Sequence, residues 1–225
     1  MKGWFVAGTD TGVGKTEVAR ALCLLLRERG YGPLALKPFE TGCAPDTPED
    51  ALALREACGS SQALEDLCPY RFRLPAAPLV AAEAEGRSID LPRIEELVAR
   101  ATAPIVVEAA GGLLVPIARA PLSLLTNLDL AVRLGLPVVL VGRAGLGTLN
   151  HCALSVAALE RSGLVVAAVV LNRTAADDDP TVQTNARWVS EMTGAAVLGP
   201  TPFVSNRAER PRALAAIVDS LVPRR

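Results

Sequence analysis

Residues 8–16 read Gly8-Thr9-Asp10-Thr11-Gly12-Val13-Gly14-Lys15-Thr16, and no other stretch restricts the fold as tightly. Before it, Gly3 to Ala7 is apolar enough for a buried strand. After it, Glu17 to Arg29 has the spacing of an amphipathic helix that stops at Gly30. A glycine-rich turn between strand and helix lets backbone N–H groups converge on phosphate oxygens, with the positive end of the helix aimed at the same anion. In that setting Lys15 reaches the β- and γ-phosphates and the Thr16 hydroxyl takes Mg²⁺. The spacing is a variant of GxxxxGK[ST]: five residues separate Gly8 from Gly14, and Thr9 stands where the first glycine usually does. A plain turn with a stray lysine explains less, because Gly-Lys-Thr, the strand and the helix all agree.

Short aliphatic runs alternate with helical stretches through the rest of the 225 residues. Strands are expected at Leu34 to Phe39, Pro104 to Glu108, Pro137 to Val141, Leu164 to Leu171 and Ala195 to Leu198. Helices are expected from Thr47 to Ala57, with Pro48 at the first helical position, and at Leu91 to Ala101 and Asn127 to Leu134. Others fall at Thr148 to Ser162, Pro180 to Thr193 and Glu209 to Leu221. The proline-rich stretch 69–86 reads as irregular with a short helix. Continuous aliphatic strands between helices indicate an α/β fold, a mostly parallel sheet with helices on both faces, built as one domain over 1–225. Ligands of such sheets sit beyond the carboxyl ends of the strands.

Composition narrows the function. The net charge is −1 and aromatics are 4%, so there is no basic field for nucleic acid or anionic lipid and there are few platforms for bases. The longest apolar run, Leu164 to Leu171, is too short to span a membrane. The five cysteines form no CxxC pair and the only histidine is His151, so no zinc site is expected. An odd count without a secretory signal fits reduced thiols in the cytoplasm. Of the 23 basic residues only Lys2, Lys15 and Lys37 are lysines, and two of those three lie in motifs.

Further constellations follow other strands. Lys37 emerges at the end of the second strand, where it can hold an anion or pair with Glu40. Asp50 opens a helix, as a dipole partner or a Mg²⁺ ligand. Glu108 ends a buried strand before Ala109-Ala110-Gly111-Gly112, as a Mg²⁺ ligand or a structural carboxylate. The stretch Gly142 to His151 leads from strand to helix, as a second anion pocket or a tight turn. His151 reads as a helix-start or interface residue. No NKxD box is present, which favours ATP over GTP.

Taken in order, GTDTGVGKT, KP-x-x-TG, DALAL, VEAAGG and GTLNH resemble the dethiobiotin synthetase family from Phe5 to about Asn206. The resemblance implies a P-loop NTPase-like fold, a homodimer with active sites near its interface, and the substrates 7,8-diaminononanoate, CO₂ and MgATP. It implies a carbamate, then a carbamic–phosphoric anhydride, then closure of a cyclic urea as phosphate leaves. By resemblance Gly12, Val13, Gly14, Lys15 and Thr16 cradle the phosphates, and Thr16, Asp50 and Glu108 hold Mg²⁺. Lys15, Lys37 and Thr11 are the catalytic residues, and Thr11, Lys37 and Thr41 line the carbamate region. Gly145, Leu146, Gly147 and Asn150 receive the substrate carboxylate across the dimer interface. Asn172 reads the adenine edge, with Pro202, Phe203 and Val204 nearby. The chain departs from the family in having Ala109 after the acidic residue and Gly12 where members carry Glu. The stretch beyond Asn206 matches least.

Three rivals share the loop. A switch ATPase of the partitioning or septum-positioning kind usually carries an early second lysine, absent from Gly8-Thr9-Asp10-Thr11. An amidotransferase-type synthetase would carry a glutaminase unit with a Cys–His pair. A regulatory nucleotide-binding domain without turnover is the third.

Overall fold

The computed structural model describes residues 2–176 and 179–224. The first strand, β1 (Gly3–Gly8), is buried along its whole length and runs into the glycine turn, from which α1 (Lys15–Glu28) starts. The chain continues through β2 (Leu34–Leu36), β3 (Phe39–Thr41), α2 (Glu49–Cys58) and the single turn α3 (Leu64–Leu67). Then come β4 (Tyr70–Phe72), α4 (Pro78–Ala84) and α5 (Leu91–Ala99). The long strand β5 (Ile105–Gly112) leads into a hairpin of β6 (Pro116–Arg119) and β7 (Leu124–Thr126). The rest is α6 (Asn127–Leu134), β8 (Val138–Arg143), α7 (Thr148–Arg161), β9 (Val166–Asn172), α8 (Val182–Thr193), β10 (Val197–Leu198) and α9 (Arg210–Ala215).

Six strands form the main sheet in the order β10-β9-β8-β1-β5-β2, and every pairing in it is parallel. From β1 the chain first builds outward on one side, to β2 and β5, and then on the other, to β8, β9 and β10. That reversal opens a crevice at the carboxyl end of β1, and the glycine turn stands in it.

Alternate residues of each strand enter different cores, because strand side chains alternate between faces. Trp4, Val6, Val106, Val139, Val141 and Val170 pack with Val18, Leu22 and Leu26 of α1, with Leu54 of α2 and with Leu214 of α9. Phe5, Ala7, Val107, Leu140 and Leu171 pack on the opposite face, with Ile94 of α5, Leu130 of α6, Val156 of α7 and Val189 of α8. Both faces are therefore covered, which is why the strands read as unbroken aliphatic runs. Ala109 lies in the second of these cores, 1% exposed, so its methyl group packs away from Glu108, its neighbour in the strand.

The strand expected at Leu34 to Phe39 breaks at Lys37-Pro38. Lys37 N–H donates to the Leu67 carbonyl (2.8 Å), and Pro38 has no N–H to continue a ladder. Beyond it β3 pairs in parallel with β4 in a separate two-stranded sheet, so the stretch 69–86 contains a strand as well as the helix α4. The strand ending at Glu108 continues through Gly112, where it pairs with Gly8. The β6–β7 hairpin has no counterpart in the sequence pattern, since its strands are short and most of their residues are not buried. Helix α2 starts at Glu49, later than expected, with Pro48 at the N-cap position just outside it. The last helix ends at Ala215, and a 3₁₀ turn at Asp219–Leu221 follows.

Candidate functional site

The turn after β1 is held open by two glycines with positive φ, Gly12 (72°) and Gly14 (95°). Gly14 caps α1, and its carbonyl accepts the Val18 N–H (3.2 Å), so the helix begins where the turn ends. Thr11 N–H donates to the Asp10 carboxylate (2.7 Å), and Arg143 at the end of β8 donates to the Thr11 carbonyl (3.2 Å). Lys15 folds back over the turn, its Nζ donating to the Asp10 carbonyl (2.8 Å). Burial, then the Lys37 charge, lowers the Lys15 ammonium to about 8 against the pull of Glu108, Asp10 and Asp50.

This shift has a signed consequence. Below about pH 8 the ligand-free protein keeps Lys15 charged; above it the lysine is neutral and a bound polyanion must bring a proton with it. MgADP affinity is expected to fall about tenfold between pH 7 and pH 9, read by titration calorimetry. A flat profile would show that Lys15 does not face the phosphates.

Glu108 is the hub of the site. It is fully buried at the end of the Val106-Val107 run, and its Oε1 accepts both the Thr16 hydroxyl (2.8 Å) and Lys37 Nζ (2.5 Å). Lys37 also faces Asp50 Oδ2 at 3.5 Å. Burial pulls the Lys37 ammonium down, but Glu108 and Asp50 outweigh it and hold the pKa above the ordinary lysine value. Burial pushes the Glu108 carboxyl up, with Lys37 opposing. We read the pair as charged near neutral pH, because the ammonium lies in direct contact with the carboxylate.

The second oxygen, Glu108 Oε2, is buried with no hydrogen-bond partner among the described residues. Thr16, Asp50 and Glu108 thus bring one hydroxyl and two carboxylates, one with an unsatisfied oxygen, to the same cavity. This all-oxygen set suits a hard divalent cation such as Mg²⁺.

These groups line a cavity of about 760 Å³ whose wall also includes Thr11, Gly12, Gly14 and Thr41. Val13 is buried beneath the turn. A smaller pocket of about 150 Å³ adjoins it at Gly12 and Gly14 and is lined by Asn172, Pro202, Phe203 and Val204, the residues expected to meet a base. Asn172 is already engaged: its Nδ2 donates to the Val13 carbonyl (2.9 Å) and its Oδ1 accepts from Thr201 (2.7 Å). One N–H and one lone pair remain for a ligand. Gly145, Leu146, Gly147 and Asn150 line neither space. Their turn opens α7 at the surface, where Leu146 is 84% exposed and its N–H donates to Asp179 (2.7 Å).

Several contributors escaped the sequence reading. Glu40 is buried and accepts the backbone N–H groups of Asp50 (3.1 Å) and Ala51 (2.9 Å), which fixes the start of α2 and with it the Asp50 carboxylate. Asn127 donates to the carbonyls of Ala110 (2.6 Å) and Gly112 (2.8 Å), pinning the strand beyond Glu108. Arg207 and Arg210 reach the large cavity from the C-terminal segment. Local sequence carries no signal for these contacts, because each joins elements distant along the chain.

A family model described as an AAA domain matches residues 2–209. The chain is 49% identical over 221 residues to the ATP-dependent dethiobiotin synthetase BioD of Anaeromyxobacter dehalogenans, covering 97% of each chain. It is 37% identical to the Bacillus cereus protein of the same name, covering 90% of this chain and 84% of that one. Among solved structures, a ParA family ATPase from Chlorobium tepidum aligns with a TM-score of 0.55 at 12% identity, over 98% of this chain and 93% of that one. The MinC:MinD cell division complex of Aquifex aeolicus aligns at 0.54 and 13% identity, over 98% of this chain and 89% of that one. At such identities the structural likeness speaks for the fold alone.

Proposed function

Because this chain belongs to the ATP-dependent dethiobiotin synthetases, we propose that it carboxylates 7,8-diaminononanoate with CO₂ and closes a ureido ring at the expense of ATP. One observation carries the assignment to this site: Lys37, Thr16 and Asp50 gather around the buried carboxylate of Glu108 beside the glycine turn. A reaction between two anions needs such a cluster.

An amine of the substrate adds to CO₂ and gives up a proton, forming a carbamate. A carbamate oxygen attacks the γ-phosphorus, the bond to ADP breaks, and a carbamic–phosphoric anhydride results. The second amine then attacks the carbonyl carbon and gives up a proton, a C–N bond closes the ring as the C–O bond to the phosphate breaks, and phosphate leaves. The barrier to the second step is charge repulsion, and phosphoryl transfer responds to positioning and electrostatics more than to a covalent nucleophile. Lys15 and Lys37 supply fixed positive charge where negative charge accumulates, at low exposure, where such charge acts most strongly. Backbone N–H groups of Gly12 to Thr16 orient the phosphates. Thr11 and Thr41, at the cavity wall, are placed to orient the carbamate. Thr16, Asp50 and Glu108 would hold Mg²⁺, which neutralises phosphate charge when bound. Asn172 and Pro202 to Val204 would take the adenine.

The turn Gly145-Leu146-Gly147 with Asn150 is proposed to receive the substrate carboxylate of a second copy of the chain. Supporting this, Leu146 and Leu154 near α7 and Trp188 and Met192 on α8 are exposed apolar side chains on two helices that pack together. A homodimer through this face follows, and sedimentation should show twice the monomer mass. Among the described residues no helix is long and apolar enough to cross a membrane, and all five cysteines are free, which fits the reducing cytoplasm.

The test is direct. With MgATP, labelled bicarbonate and the diamine, acid-stable label should form in step with phosphate release. Phosphate release driven by DNA or lipid without label would favour a switch ATPase, and glutamine-dependent turnover an amidotransferase.

A further inference from the structure

The C-terminal segment carries a charge that the site described so far does not use. Arg210 pins the segment from one end, its Nε donating to the Val204 carbonyl (2.7 Å) and its Nη2 to the Ser205 carbonyl (3.3 Å). Arg20 of α1 holds the next point, donating to the Arg207 carbonyl (3.4 Å). The Arg207 side chain, half exposed, projects between these anchors and meets three carboxylates. These are Glu49 at 3.4 Å, Asp50 at 3.6 Å and Glu17 at 3.8 Å. All three contacts lie beyond the usual length of a charge-assisted hydrogen bond, and each comes from a different guanidinium nitrogen, so none locks the side chain. The same side chain lines the phosphate cavity.

The charge balance of that cavity gives the contacts a purpose. Among the described residues, four basic and four acidic side chains line it: Lys15 and Lys37 lie deep, and Arg207 and Arg210 come from the C-terminal segment. A nucleoside polyphosphate entering an electrically balanced cavity meets four carboxylates as well as four cations, so the cations that can turn from carboxylate to phosphate decide how well it is held. Lys37 is bound to Glu108 and Arg210 to backbone carbonyls. Among the described residues, Arg207 is the one of these four held only by loose ion pairs.

We propose that Arg207 is a phosphate-binding residue for the nucleotide, stored in the ligand-free protein on Glu17, Glu49 and Asp50 and turning onto the phosphates when they arrive. A cation settling at Asp50 removes one of its three counter-ions and favours the turn. The proposal rests on the nucleotide reading of the same cavity.

Titration calorimetry with MgADP tests it on three proteins: wild type, Arg207→Gln and Glu49→Gln. Arg207→Gln is expected to weaken MgADP about tenfold, raising the KM for ATP with kcat little changed. Glu49→Gln loosens the stored state, so MgADP should bind as tightly as to wild type or more tightly. If Arg207 were only a brace for α2, both variants would weaken binding alike, and that result overturns the proposal. Wild-type affinity in Arg207→Gln overturns it as well, with the nucleotide reading intact. Absence of MgADP binding to the wild type overturns both.

Discussion

Replacing Lys37 by alanine is expected to lower kcat by about 10²–10³ and to leave the KM for ATP within a few-fold of wild type. The ammonium is 5% exposed and touches Glu108 while facing the cavity, so its removal takes away positive charge that water cannot replace in place. Losing one partner of a buried ion pair ordinarily costs stability, about 3–5 kcal/mol when the other charge is stranded. Here Glu108 has an escape. Burial already pushes its carboxyl up, and losing Lys37 removes the main charge that opposes this, which favours the neutral form in the ligand-free protein. The variant should therefore stay folded at assay temperature, which a melting curve checks beside the rate. Turnover near the wild-type value would remove Lys37 from the mechanism.

Gly14→Ala should be the most damaging single methyl group in the glycine turn. At φ 95° a side chain is strained, and the new Cβ would run into the Asn172 amide nitrogen. That amide is tied to the Val13 carbonyl and to Thr201, so it cannot swing away without breaking two buried hydrogen bonds. Strain and clash together should cost about 3 kcal/mol or more and abolish nucleotide binding. Gly12→Ala is the control. Its φ is also positive, at 72°, but nothing lies within 4 Å of an added Cβ, so only the backbone penalty of about 1–2 kcal/mol applies. Urea unfolding of the two variants decides: equal midpoints would mean that Asn172 does not buttress the turn as drawn.

Much of this site was legible because its residues declare themselves locally. The glycine turn is marked by Gly-Lys-Thr between an aliphatic strand and an amphipathic helix, and α6 (Asn127–Leu134) has the bounds expected from its pattern, with Thr126 and Asp129 capping one end in the structure and Gly135 the other. Lys37 and Glu108 were found as charged residues ending apolar runs, and they prove to touch. What escaped depends on partners far along the chain. Three-residue strands such as β3 and β4 have too little pattern to read alone, and Pro38 announces a break only once Leu67 is seen to take the Lys37 N–H. Glu40 looked like a partner for Lys37, but it caps α2 instead. Arg207 is one arginine among 20, and only the return of the chain across α1 and α2 gives it a role.

The central claim is that the turn at Gly12 to Thr16 grips a triphosphate whose terminal group faces Lys37 and a carbamate. A crystal structure with a non-hydrolysable ATP analogue, Mg²⁺ and the diamine under CO₂ tests it most directly. Phosphate oxygens should then lie on the backbone N–H groups of that turn, Lys15 should have moved from the Asp10 carbonyl onto the terminal phosphate, and Lys37 Nζ should be within hydrogen-bonding distance of the carbamate. Nucleotide bound elsewhere, with Lys15 still folded onto Asp10, would contradict it.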